Sequence, residues 1–195
     1  MDKNVARVPK AELHAHIEGT VTPDMARRKA KEHGMSLPDE LFSADGKSYA
    51  WSDFVDCVTR VYDGVADTIR TKQDYEDITY DYLKRCADEN CIYVEFIISP
   101  DHAERMGLPY KEMVDGIAAG IDKARDETGI ESRINSALVR HLSDDDIDRA
   151  AKAIVNYRHP YVTGLDLAGV EKEGDIHRFR KTFKYIKDQT NGAGD

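Results

Sequence analysis

The feature that most constrains the fold is an alternation of short apolar, β-branched segments with longer stretches of helical periodicity. The apolar segments cover residues 11–17, 91–99, 132–139 and 162–168. The helical patterns cover residues 22–33, 51–70, 72–89, 109–128, a stretch that begins at Ser143, and 175–189. A strand that alternates with a helix predicts right-handed βαβ units and therefore a parallel sheet.

Chain length leaves two architectures open at this point. A complete eight-stranded (β/α) barrel takes roughly 250 residues, whereas this chain has 195 and supplies four strand–helix units. The pattern fits either a small open α/β domain or half of a barrel. No repeat, low-complexity linker or internal boundary divides residues 1–195, so we expect a single domain.

Composition and charge exclude several classes of partner. Hydrophobic residues make up 41% and charged residues 33%, a balance typical of a globular chain. The net charge of -9 disfavours nucleic-acid and anionic-membrane binding, because phosphate groups are held by clustered Lys and Arg. Cys57, Cys86 and Cys91 form no CxxC pair, and the sequence has no signal-like or membrane-spanning run. We therefore expect reduced thiols, a cytoplasmic location, and neither nucleic acid nor membrane as a partner.

The helical pattern of residues 51–70 predicts a helix whose apolar side packs in the core. The residues at helical spacing are Trp51, Phe54, Val58 and Tyr62. Resemblance to a known family would instead let this helix cover a ligand pocket.

The strongest chemical signal is a pair of histidines, His14 and His16, at the end of the first predicted strand. Residues two apart in a strand point the same way, so two imidazoles there can converge on one metal ion. Gly19 follows directly and permits a close backbone approach. A pair of histidines by itself is also compatible with surface or core roles, and the other histidines lie in scattered contexts.

Four segments together resemble the adenosine/adenine deaminase family of metal-dependent hydrolases. Residues 9–20, PKAELHAHIEGT, resemble the opening motif of that family. In the family's order follow YVEF at 93–96 with Ser-Pro at 99–100, Arg-His at 140–141, and GLDLAGVE at 164–171. The resemblance runs from residue 8 to about residue 171. It implies an α/β fold that is a partial TIM (β/α)8-type barrel, comprising strands 1–4 with their helices.

The resemblance also implies a reaction and a set of roles. Members of the family use zinc to activate water for the hydrolytic deamination of adenosine or a related aminopurine, and a small-molecule purine nucleoside or base is therefore the expected partner. His14 and His16 match the metal ligands, and His16 also faces the substrate. Glu18 matches a position that contacts the sugar or distal part of the substrate, and Gly169 matches a glycine whose amide faces the purine. Ile97-Ile98 depart from the polar or aromatic pair of some relatives, so the exact aminopurine stays open.

The family's remaining catalytic groups are a third histidine ligand and an acid glutamate in an HAGE-like motif, followed by a later histidine and aspartate. This chain contains no HAGE-like segment. We therefore expect no catalytic residue within it, weak or absent zinc occupancy, and an inactive fragment that self-associates through exposed half-barrel edges. A non-catalytic half-barrel binding or assembly module, and another HxH-type barrel hydrolase, are the alternatives.

Four further residues each have a structural interpretation, which stands beside a functional one for the first three. Glu95 is compatible with a substrate-site group or with a partner in an ion pair of the core. Arg140 and His141 fit a place near the site or a structural pairing. Asp166 is expected to be a structural acid at the end of its strand.

Overall fold

A four-stranded parallel sheet forms the frame of the protein in a computed structural model that describes residues 6–172 and 175–191. The strands are β1 (Lys10–His16), β2 (Cys91–Ile98), β3 (Glu131–Val139) and β4 (Val162–Ala168). They lie in the order β1-β2-β3-β4, and every neighbouring pair is parallel. Each predicted strand is confirmed to within one residue at either end. This sheet with its covering helices is one half of a (β/α)8 barrel.

Helices connect the strands and cover one face of the sheet. They are α1 (Pro23–Glu32), α2 (Phe54–Asp56, the π-helical Cys57–Tyr62, and Asp63–Ala66), α3 (Lys72–Asp88), α4 (Pro100–Arg105), α5 (Tyr110–Thr128), α6 (Asp144–Asn156) and α7 (Phe179–Asn191). Predicted caps are confirmed at Thr22 and Ser143, whose side chains accept hydrogen bonds from the first turns of α1 and α6. No helix in the described ranges combines the length and apolar character needed to cross a membrane.

The helix-covered face of the sheet holds the apolar core. On β2, Val94, Phe96 and Ile98 are fully buried on this side. Behind them α3 and α5 pack so closely that a Cβ on Gly116 would lie 2.3 Å from the carbonyl oxygen of Lys72. Because such close packing tolerates little change in side-chain volume, this layer sets the stability of the fold.

The opposite face of the same strands carries polar side chains beside the buried Ile97. Glu95 alternates with the buried residues of β2 and accepts a hydrogen bond of 2.9 Å from the Tyr93 hydroxyl. Asn135 of β3 donates to the second oxygen of Glu95 over 3.5 Å. A Cβ on Gly164 of β4 would come within 2.2 Å of the Asn135 side-chain oxygen, so glycine makes room for this contact. Glu95 thus belongs to the interior side of the half-barrel, and its partners are neutral hydrogen-bonding groups.

The segment 51–70 differs from its prediction. The helix occupies residues 54–66 only, and Trp51 and Phe54 are 58% and 71% exposed. Their assignment to the core is therefore wrong, while Val58 and Tyr62 are half-buried and line a cavity. The physical reason is that α2 lies at the edge where the strands end, so its apolar side meets this cavity as well as packed side chains.

Candidate active site

A cavity of about 1490 Å³ opens at the carboxyl edge of the sheet. All four strands reach it at or just after their last residues, and α2, α4 and α6 contribute side chains from the periphery. Strands that run in parallel bring their carboxyl ends to one edge, which is where barrel enzymes build their sites. The residues that carry a charge or an imidazole on its lining are Glu12, His14, His16, Asp63, Asp101, His102, Glu104, Arg105, His141, Asp146, Arg149 and Asp166.

The two predicted metal ligands lie side by side on this lining. The rings of His14 and His16 have their centroids 5.3 Å apart and are inclined by 61°. The register of β1 against β2 is irregular between Glu12 and Ala15, so the first histidine lies in an irregular stretch of the strand. Burial lowers the pKa of His16 below its usual range, although Glu18 acts in the opposite direction. The imidazole is thereby kept neutral, the form in which a nitrogen binds a metal ion.

The donor set fits part of a metal site. Two imidazoles at this separation suit two positions of a tetrahedral zinc ion. Within the described ranges, no group of three or more His, Cys, Asp or Glu side chains is arranged to hold a metal ion. Asp166 lines the same cavity, and its negative charge acts against the lowering of the His16 pKa by burial. It is therefore an acid of the site lining, whereas the sequence favoured a structural role for it.

Glu18 lies beneath the cavity and is only 1% exposed. The Tyr62 hydroxyl donates to its Oε2 over 2.9 Å, and Nδ1 of His102 lies 3.6 Å from its Oε1. Burial alone would raise the pKa of Glu18, but His102 and Tyr62 lower it overall. The pKa of His102 is raised by Glu18 despite burial, so the two groups form a buried ion pair. The predicted substrate contact of Glu18 stays a prediction, because Tyr62 and His102 cover this carboxylate.

His102 is a functional candidate that sequence reasoning missed, and Tyr62, expected in the core or over a ligand pocket, lines the cavity beside it. Tyr62 presents its ring edge-on to His16, with centroids 6.2 Å apart, and lies 5.5 Å from the ring of His102. It ends the π-helical stretch of α2, a rare geometry that is frequent at functional sites. The signal that could have indicated His102 is its place just after the end of β2, because β2 lies beside β1.

The fourth strand delivers Gly169 to the opposite side of the cavity. Its φ of 98° is in the region that favours glycine, and a Cβ there would lie 3.3 Å from the Arg140 nitrogen. His141 also lines the cavity, whereas the backbone of Arg140 is hydrogen-bonded to Ala168. The substrate-binding roles of His16 and Gly169 stay predictions, and both residues reach the cavity.

Exposed charged pairs border the cavity. Arg149 of α6 contacts Glu104 over 2.9 Å and also contacts Asp146. Arg105 of α4 contacts Asp67 over 3.1 Å. We call these five residues the rim. Every one of them is at least one-third exposed, so each pair contributes little to stability.

The site is thus a cavity at the carboxyl edge of a parallel half-barrel, with paired histidines at the end of its first strand. The sequence profile of the adenosine deaminase family matches residues 9–192, and the chain belongs to this family.

The chain is similar to one part of longer relatives and of longer solved structures. It is 40% identical over 183 residues to an adenine deaminase of Rhizobium meliloti (strain 1021), a match that covers 94% of this chain and 55% of the relative. A Burkholderia ambifaria amidohydrolase with bound Zn superposes with a TM-score of 0.82 at 22% identity, over 95% of this chain and 51% of that one. An Arabidopsis ADAL protein complexed with GMP superposes with a TM-score of 0.74 at 19% identity, over 95% of this chain and 57% of that one. The chain spans about half the length of each, and the structures share its fold.

Proposed function

We propose that this chain supplies the first half of the active site of a hydrolytic purine deaminase that acts on adenine or a related aminopurine such as adenosine. The observation that carries the proposal is the pair His14 and His16, whose rings adjoin on the lining of a cavity formed where four parallel strands end. Membership of the adenosine deaminase family and the similarity to a relative named adenine deaminase support the same reaction.

His14 and His16 would hold the metal, and zinc is the candidate because a structural neighbour contains it. When bound, zinc activates water for attack at neutral pH. The ligands that complete its coordination lie outside the described residues in this proposal. Two protein ligands hold zinc weakly, so low occupancy and little activity are expected of residues 1–195 by themselves.

The chain's own residues bind and orient the purine. His16 is neutral and has Tyr62 packed edge-on against it, which restricts the orientation of its ring. The Gly169 amide and the apolar lining residues Val139 and Leu167 border the space where a flat base fits. In the reaction, the carbon that bears the amine gains an oxygen from water and releases ammonia. The group that protonates the purine ring is not among the residues assigned here.

A chimera tests the proposal in a complete barrel. Residues 9–191 replace the matching segment of the Rhizobium meliloti relative, and conversion of adenine is followed by ultraviolet absorbance and ammonia release. We expect deamination of adenine by the chimera and a loss of at least about a hundredfold on changing His14→Ala or His16→Ala. His159→Ala, at the opposite end of the sheet, is the matched control. Full activity of a His14→Ala/His16→Ala chimera would refute the proposal.

A further inference from the structure

We propose that Glu18 and His102 are positioning residues, which act through Tyr62 to fix the ring of His16 in the orientation that binds the metal. The inference rests on the proposed function and deepens it, because it identifies what holds a ligand imidazole in place. It also gives the Glu18 carboxylate a task that does not require contact with the substrate.

The ring of Tyr62 packs against the imidazole of His16. The two rings meet edge-on, with centroids 6.2 Å apart and an interplanar angle of 88°. His16 also adjoins the ring of His14, at 5.3 Å between centroids. A Cβ placed on Gly19 would lie 3.5 Å from the Tyr62 ring and 3.9 Å from Cβ of His16, so the backbone at Gly19 lies close to both. Because these groups flank the imidazole, its orientation depends on where Tyr62 lies.

The carboxylate of Glu18 holds Tyr62 in this position. The Tyr62 hydroxyl donates to Oε2 of Glu18 over 2.9 Å, and Glu18 is only 1% exposed. A hydrogen bond to a carboxylate is stronger in such a buried place than in water. Tyr62 belongs to the π-helical stretch of α2, whereas Glu18 follows the end of β1. The bond therefore ties α2 to the strand that carries His16.

His102 of α4 adds a third element to this cluster. Its Nδ1 lies 3.6 Å from Oε1 of Glu18, and its ring centroid lies 5.5 Å from that of Tyr62. An imidazole beside a buried carboxylate offsets part of the cost of removing that carboxylate from water. The end of β1, α2 and α4 thus converge on Glu18, which keeps Tyr62 against His16.

The polar character of the cluster distinguishes positioning from packing. A buried pair of charged groups contributes little more to stability than well-packed apolar side chains would. Hydrogen bonds are directional, however, so the bond from Tyr62 to Glu18 specifies one place for the tyrosine ring. Partners that orient a metal ligand by a direct hydrogen bond change metal affinity by about 10- to 100-fold. Tyr62 orients His16 by packing, so we expect an effect below that range or at its lower end.

Zinc affinity and the order of the His16 ring test the inference on the whole chain. A competition titration with a chromophoric chelator measures the affinity, and NMR relaxation of the metal-free, isotope-labelled chain measures the ring order. Tyr62→Phe keeps the ring but removes the hydrogen bond to Glu18, and we expect zinc to bind about three- to tenfold more weakly. Tyr62→Leu also removes the ring and should weaken zinc further. The order of the His16 ring should fall in both variants.

Tyr110→Phe is the matched control. Tyr110 is 7% exposed, and its hydroxyl shares a hydrogen bond of 2.7 Å with the Ser136 hydroxyl on the helix-covered face of β3. This variant loses one buried hydrogen bond, as Tyr62→Phe does, but zinc affinity and the order of the His16 ring should stay at the wild-type values. Circular dichroism and thermal unfolding establish that all variants are folded.

Conservative variants separate the two positioning residues from a general effect of charge. Glu18→Gln retains an oxygen that accepts from Tyr62, so it should weaken zinc binding less than Tyr62→Phe does. His102→Leu removes a partner of Glu18 and should lower the order of the His16 ring. His102→Gln can still donate to Glu18 and should restore most of that order.

Each outcome decides between the claims. Wild-type ring order and zinc affinity in Tyr62→Phe overturn the inference and leave the proposed function standing, and so does wild-type ring order in His102→Leu. Equal weakening by Tyr110→Phe also overturns the inference, because loss of stability then accounts for the effect. Absence of zinc binding by the wild-type chain contradicts the proposed metal site, and the inference falls with it.

Discussion

The two faces of the sheet perform different tasks with alternate residues of the same strands. On β2, Val94, Phe96 and Ile98 are buried against helices, while Tyr93 and Glu95 point to the polar interior of the half-barrel. At the end of β1, Ala15 points into the core and His14 and His16 line the cavity. Stability and chemistry are thus separated by the two-residue period of a strand, which permits changes on one face that spare the other.

Two buried charge clusters differ in the same way, since one belongs to the helical layer and the other lies next to the cavity. Lys29, in the helical layer, is 2% exposed and contacts carboxylates of Glu32, Asp74 and Asp77. Beneath the cavity, Glu18 and His102 each keep one buried atom without a hydrogen bond, Oε1 and Nδ1 respectively. The outer cluster is satisfied by its neighbours, whereas the inner pair retains hydrogen-bonding capacity next to the proposed site.

The largest expected effect lies on the helix-covered face. Phe96→Ala should lower the free energy of unfolding by about 3–5 kcal/mol, because it removes a fully buried ring from the core. Urea unfolding followed by circular dichroism measures the change. Ile92→Ala, on the same strand but 55% exposed, is the control and should change stability by about 0.5 kcal/mol or less. Ile92 lies on the same face at its exposed start, so equal losses for the two variants would contradict the burial of Phe96 in the core.

A pH series sharpens the comparison of the charge clusters. Burial by itself would raise the pKa of Asp74, but hydrogen bonds from Lys29, Arg70, Thr71 and His33 lower it to about 2. Because the folded pKa lies below the unfolded value of about 3.9, the stabilisation is complete above about pH 5 and disappears as the pH falls towards 2. The unfolding free energies of the wild type and Asp74→Asn should differ by about 2 kcal/mol at pH 7 and converge near pH 2.

The control for the pH series is Asp188→Asn, which removes an exposed partner of Lys184. Its difference from the wild type should stay close to zero at every pH. A difference for Asp74→Asn that does not shrink between pH 5 and pH 2 would refute the role assigned to the ionised carboxylate.

A smaller effect is expected beneath the cavity. Tyr62→Phe removes the hydrogen-bond donor to the buried Glu18 carboxylate and should cost about 1–2 kcal/mol of unfolding free energy. Tyr80→Phe removes a hydroxyl that donates to Glu127 on the helical surface, and a change within about 0.5 kcal/mol is expected there. If Tyr80→Phe lowers the free energy of unfolding as much as Tyr62→Phe does, the proposed difference between the helical surface and the buried Glu18 cluster is contradicted.

The sequence was sufficient for the elements with a strong local signal. Short segments rich in apolar residues located all four strands, and capping residues located the starts of α1 and α6. The short helix α4 was not predicted, because six residues are too few for a helical period to emerge. Phe54 was misassigned because its spacing reports a helix but not what that helix faces, and Trp51 because it precedes the start of the helix.

The site was predictable only in part, because local sequence patterns do not report which distant residues come into contact. His14 and His16 are two residues apart, so strand geometry alone brings them together. The contacts of Glu18 with Tyr62 and His102 join residues far apart in the chain, and only the tertiary fold creates them. The charge pairing of the rim arginines likewise depends on how α4 and α6 pack beside the cavity.

The central claim is that His14 and His16 form one half of a metal site, and a zinc competition titration tests it most directly. Zinc is titrated into the chain against a chromophoric chelator at pH 7.5 and at pH 5.5. The account predicts one weak site per chain that is lost in His14→Ala/His16→Ala, retained in His159→Ala, and weakened at the lower pH as the imidazoles take up protons. Zinc binding by the double variant equal to that of the wild type would contradict it.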